Sequence, residues 1–236
     1  MTVKHVGRPL FAASLAGCGA AGLVLRNVIV YETFPASSPL HTVTAIVAGV
    51  LLVAAGLGLL TRFRSPASVV ALIVLALWDL VLNVPGLFTA PRNEDSWLEV
   101  GMATMVVVAA WLLTGTTRLR AARTIFGLAL IPVGLSHFFF WQITLGLVPP
   151  WMPVPSVWVA LVGVAHIAAG LGVLFGILPR LAALLEAGQL IVFAVLVWLP
   201  RVIAKPSAQF NWTEMLGTLL IGAAAWVMAD ALADAR

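Results

Sequence analysis

Followed by its apolar and polar positions, the chain falls into eight long apolar blocks, near residues 10–30, 42–61, 67–88, 97–115, 123–147, 156–176, 181–200 and 212–232. Each is close to the roughly 20 residues that a helix needs to cross the hydrocarbon core of a bilayer. The breaks between them hold prolines, small polar residues and charges: SSP at 37–39, RFRSP at 62–66, PRNED at 91–95, TRLRAAR at 117–123, PPWMPVP at 149–155, LPR at 178–180 and AKPSAQ at 204–209. Backbone polar groups in lipid must be satisfied within the element that carries them, which a helix does by itself. The pattern therefore predicts an all-α integral membrane protein with eight transmembrane helices.

Composition agrees. Hydrophobic residues make up 62% of the chain and charged residues 9%, against about 45–50% and about 25% in an ordinary soluble domain. A soluble fold of this size could not hide that much apolar surface. The formal net charge of +4 does not argue for a nucleic-acid partner, because the cations stand singly or in small groups beside apolar blocks, as loop charges that set topology do. With the N-terminus inside, Lys4, Arg8, Arg62, Arg64, Arg118, Arg120, Arg123, Arg180 and Arg236 lie on one side, and Arg26, Arg92, Arg201 and Lys205 on the other. That bias predicts that both termini are cytoplasmic; the expected location is the bacterial inner (plasma) membrane. The single cysteine, Cys18, cannot close an internal disulfide, which counts against a dithiol relay; it reads as a small packing residue.

The blocks repeat. AAGLGLL at 54–60 answers AAGLGVL at 168–174, an offset that Pro35 and Pro149, Pro39 and Pro153, and Gly49 and Gly163 share. After one inserted residue Pro85 answers Pro200, Pro91 answers Pro206, Trp97 answers Trp212, Glu99 answers Glu214 and Trp111 answers Trp226. The chain reads as two four-helix repeats, 1–116 and 117–236. Each has an even number of spans, so both insert the same way up, as parallel repeats about an axis along the membrane normal.

The repeat sorts the polar residues. Glu99 and Glu214 occur in both copies, each three residues after a cap former, Ser96 and Asn211; that spacing suits a capping box. Asp79 and Asn83 share one face of the third span, His137 lies on the fifth, His166 on the sixth, and Glu186 and Gln189 share a face of the seventh. None of these is repeated. Ionisable side chains at membrane depth are costly and tend to find a partner or a use, so His137, His166, Asp79 and Glu186 are the candidate catalytic groups. Asn83, Gln189, Phe138 and Trp141 are the candidate substrate-binding ones. Glu186 has Arg123 and Arg180 as further possible partners. His5, His41, Asp230 and Asp234, near span ends, read as solvated. There is no zinc spacing, phosphate-binding glycine loop or serine–histidine signal, so no metal site is expected and the cofactor stays unassigned.

The run from Gly134 to Leu174, with HFFFWQ, LVPPWMPVP and WVALVGVAHIAAGLGVL, followed by RLAA at 180–183 and WLP at 198–200, resembles the DoxX-like family of small four-helix membrane proteins. The first copy shares only AAGLGLL and the proline–tryptophan framework. The resemblance implies the four-helix unit, and it implies an association with quinone-linked oxidation, for which the family is named. Family members are usually one such unit, here joined as two. They commonly carry an acidic residue where this chain has His166, whereas His137 matches the family's His-Phe pair.

Three functions are compatible with these features. The first is a redox-associated protein that handles a lipophilic small molecule such as a quinone within the bundle, with a membrane or periplasmic redox partner to take the electrons. The second is an isoprenoid or terpenoid cyclase or isomerase, in which a buried carboxylic acid protonates an alkene and aromatic faces stabilise the cation. The third is a non-catalytic carrier or structural subunit.

Overall fold

A computed structural model describes residues 5–27, 38 and 40–234. Among the described residues eight helices are long and apolar enough to cross a membrane: α1 Gly7–Leu25, α2 Leu40–Leu59, α3 Arg64–Thr89, α4 Glu94–Leu113, α5 Leu119–Phe139, α6 Pro155–Phe175, α7 Pro179–Ala204 and α8 Gln209–Asp234. The chain is thus an all-α membrane protein. Large apolar side chains stand on the outside, among them Val50, Leu80, Leu128, Val164 and Leu185, as expected where lipid is the solvent. The interior is built largely from Ala, Leu and Gly, small residues that let helix backbones come close.

The helices form a ring. Each packs against its neighbours in sequence, α4 packs against α5, and α1 closes the ring against α8. α4 and α8 also touch across the middle, and α8 is the most buried element, with 67% of its apolar stretch inside the bundle against 33–44% for the others. The first helix of each half therefore lies along the last helix of the other half.

Local features recur at the spacing noted in the sequence. A π-helical turn interrupts α3 at Asp79–Asn83 and α7 at Ala194–Trp198. Pro85 and Pro200 follow two residues after each turn. A proline ring collides with the carbonyl four residues back and offers no N–H; widening the turn around Val81 and Leu196 relieves that collision. Trp97 donates its indole N–H to Pro91 O at 3.0 Å, Trp212 to Pro206 O at 2.9 Å, and Trp158 to Pro153 O at 2.9 Å. These three tryptophans staple the starts of α4, α8 and α6, which all begin at one end of the bundle. The matched pairs Pro35–Pro149 and Pro39–Pro153, with Lys4 and Arg236, involve positions outside the described residues.

Three expectations need correcting. The fifth apolar block is two helices, because the chain turns at Phe140 and continues as a short helix, Trp141–Leu147. The capping-box reading of Glu99 and Glu214 fails: α4 begins at Glu94 with Asn93 as its cap, its side chain accepting from Asp95 N–H at 3.2 Å, and α8 begins at Gln209, so Ser96 and Asn211 are already inside helices. Asp230 is not solvated; it is buried and accepts the backbone N–H of Gly7 at 2.8 Å, fastening the start of α1 to α8.

Candidate functional site

The site grows from the contact between α5 and α6. Gly134 and Gly163 face each other there: a Cβ on Gly134 would lie 2.8 Å from Gly163 O, and one on Gly163 would lie 3.0 Å from His137 Cβ and 2.8 Å from Phe138 Cε2. Only glycine leaves room for that approach. It sets the His137 ring beside the His166 ring, with centroids 5.1 Å apart and planes tilted by 43°.

Each ring is oriented from its Nδ1 side. His137 Nδ1 lies 3.0 Å from Val133 O, one turn earlier on α5. A carbonyl only accepts, so this nitrogen carries the hydrogen and Nε2 presents its lone pair in the neutral ring. Ser136 donates its hydroxyl to the same carbonyl at 2.8 Å. His166 Nδ1 lies 2.8 and 3.0 Å from the two carboxylate oxygens of Glu186 on α7. That is a charge-assisted hydrogen bond shared across both oxygens, and it leaves Nε2 of His166 unencumbered.

Exposure falls along this line. Phe139 is 67% and Phe138 39% exposed on the lipid-facing surface, His137 is half-buried, and His166 and Glu186 are 3% and 2% exposed. Three groups thus run from the bilayer face into the bundle: an imidazole that can accept a proton from a molecule in the lipid, a second imidazole in ring contact with it, and a carboxylate that stabilises positive charge on the pair. Gln189, one turn beyond Glu186, reaches Val162 O at 3.5 Å, the outer limit of a hydrogen bond. Trp141 begins the short helix, its carbonyl accepting from the Thr144 hydroxyl at 3.1 Å. That hydroxyl also lies 3.3 Å from His137 O, so the short helix is tied to the end of α5. Arg201 on α7 holds its far end, with Nη2 3.0 Å from Gly146 O and its guanidinium over the Trp198 ring.

Asp79 and Asn83 stand elsewhere. Asn83 Nδ2 donates to Asp79 Oδ1 at 3.2 Å, and Thr104 on α4 donates to Asp79 Oδ2 at 3.2 Å. Both Asp79 and Asn83 are 7% exposed. α3 packs on α2 and α4, whereas α7 packs on α6 and α8. The structure therefore gathers His137, His166 and Glu186 into one group and makes Asp79 the centre of a separate polar knot. Glu186 takes His166 as its partner, not Arg123 or Arg180. Sequence reasoning missed Thr104, Ser136 and the Val133 carbonyl. Thr104 and Ser136 are short polar residues in apolar runs and could have been flagged; a carbonyl has no signal of its own. Among the described residues no set of three metal-ligating side chains converges.

Residues 119–199, which contain His137, His166 and Glu186, match the DoxX family. The chain matches no curated protein and no solved structure. The match covers the whole of α5 and α6, the site and most of α7, and it is this segment of the membrane protein that is similar to the DoxX family.

Proposed function

We propose that His137, His166 and Glu186 form a proton-handling site for a lipophilic quinol or quinone that reaches it sideways from the bilayer. The observation that carries this reading is the graded line from lipid-facing Phe138 and His137 to the buried His166–Glu186 pair. A quinol hydroxyl donates to Nε2 of His137, whose other nitrogen is committed to Val133 O. Oxidation of the quinol releases two protons and two electrons. The first proton passes to His137 and from there toward His166, where the Glu186 carboxylate offsets the charge of the imidazolium; His137, neutral again, takes the second, and both protons leave to water at the membrane surface. The two electrons leave to a redox partner protein in the membrane or at its surface, which is reduced as the quinol becomes quinone. Phe138 and Trp141 offer aromatic faces to the quinone ring, and Gln189 a polar contact.

The hydrogen bond from His166 to Glu186 favours a base and relay over the strong acid that an isoprenoid cyclase or isomerase needs. We further infer two copies of one four-helix unit, 1–116 and 117–236, supported by the recurring π turns and tryptophan staples. The cation bias supports cytoplasmic termini, in what we take to be a bacterial plasma membrane.

The test is oxidation of a short-chain benzoquinol by the purified protein in proteoliposomes, with ferricyanide as the electron acceptor. Quinol oxidation above empty vesicles, lost in His137→Ala, is expected. Conversion of a polyprenyl substrate with no effect on quinol would overturn the reading.

A further inference from the structure

The opposite end of α5 carries a different feature. Arg118, Arg120, Ala121, Thr124 and Ile125 line an open trough of about 500 Å³. Arg118 and Arg120 are exposed, and among the described residues neither takes part in an ion pair; the pairs present are His5–Asp234 and His166–Glu186. No acidic residue lines the trough. Below it the same helix face continues with Ile125 and Leu128, 41% and 53% exposed, into the lipid-facing surface. The surface of the trough is thus apolar, and two exposed arginines without an ion-pair partner flank it. Thr124 sits between the two regions, its hydroxyl donating to Arg120 O at 3.0 Å.

We propose that this trough holds an anionic phospholipid, its phosphate between the guanidinium groups of Arg118 and Arg120 and its acyl chain along Ile125 and Leu128. Guanidinium binds phosphate oxygens in a two-pronged geometry, and basic pockets at membrane-protein surfaces take anionic headgroups. A free phosphate would satisfy the arginines but not the apolar continuation, so lipid is the occupant that matches both parts. The site is independent of the proton-handling group, which lies on the other half of α5.

The experiment uses the full-length protein in mild detergent, with retained lipid measured by native mass spectrometry after addition of phosphatidylglycerol, phosphatidylcholine or inorganic phosphate. Phosphatidylglycerol should be retained and phosphatidylcholine should not. Arg118→Gln/Arg120→Gln should weaken phosphatidylglycerol retention roughly 25-fold, from the contribution of two cations near an anionic lipid, and Arg118→Lys/Arg120→Lys should restore most of it. Arg62→Gln/Arg64→Gln, which removes the same charge from the same end of the bundle, should leave it within about twofold. Equal loss in the Arg62/Arg64 variant, unchanged retention in the Arg118/Arg120 variant, equal retention of phosphatidylcholine, or binding of inorganic phosphate in place of lipid would each overturn the proposal. A thermal melt of each variant shows whether it is folded; if the glutamine pair does not fold, Arg118→Lys/Arg120→Gln and Arg118→Gln/Arg120→Lys carry the same comparison.

Discussion

At His137 a carbonyl one turn back decides which nitrogen is free, and at His166 a carboxylate from another helix does the same. The second arrangement has an energetic consequence. Removing one member of a buried pair leaves the other without compensation, at a cost of about 3–5 kcal/mol. His166→Ala is expected to lose that much stability in detergent unfolding. His166→Leu/Glu186→Leu is expected to lose clearly less than the sum of its single changes, a double-mutant cycle that measures the coupling directly. Additive losses would show that the 2.8 Å contact contributes nothing. Asp230→Ala is expected to cost about 1–3 kcal/mol, because it strands the buried N–H of Gly7. At this scale the sequence was informative about identity and silent about partners. The unrepeated residues His137, His166, Glu186 and Asp79 stood out because each is an ionisable group in an apolar run. That Asp79 would bind Thr104 and Glu186 would bind His166 depends on which helices touch, and hydropathy does not encode adjacency. Asp230 was misread because proximity to a span end looks the same whether a side chain faces water or caps a neighbouring helix.

The helices themselves were legible where polar breaks bound them. The break at Phe140 was not, because FFFWQITLGL stays apolar across it and the turn is made by backbone geometry. The π turns were likewise hidden, although Pro85 and Pro200 are their physical cause and lie in plain view. Both halves have one, so the turn at Asp79 belongs to the scaffold and is no mark of function. Gly163 is the element-scale determinant of the site. A methyl group there would meet His137 and Phe138 at 3.0 Å or less, so Gly163→Ala must push α5 and α6 apart. The expected cost is about 1–3 kcal/mol, with quinol oxidation falling together with stability. Thermal unfolding and the proteoliposome assay read the two effects; a variant that keeps full stability and loses only activity would mean that the glycine acts through something other than packing.

Over the whole molecule, the reciprocal packing of α1 on α8 and α5 on α4 makes neither half self-sufficient. Each would leave the flank of its first and last helices uncovered. Residues 1–116 and 117–236 expressed as separate chains are expected to purify together from one membrane, and each alone to be degraded or aggregated. A stable, monomeric half in isolation would contradict this, and with it the idea that joining two units completes the bundle. Reporter fusions within 118–123 should report a cytoplasmic location, since the cation-rich breaks cluster at that end; a periplasmic signal would reverse the orientation. The overall class was readable from hydropathy alone because lipid imposes the helix length, whereas ring order and the central position of α8 follow from small-residue contacts that no periodicity reveals.

The most direct measurement is the affinity of a short-chain quinol for the reconstituted protein, read by quenching of tryptophan fluorescence, for the wild type, His137→Ala and Asp79→Asn. Loss of one hydrogen bond of about 1–1.5 kcal/mol weakens binding roughly 5- to 10-fold. The expected result is that loss in His137→Ala and wild-type affinity in Asp79→Asn, whose polar knot lies on the other side of the bundle. Equal affinity in wild type and His137→Ala, or loss confined to Asp79→Asn, would contradict a quinol site at His137, His166 and Glu186.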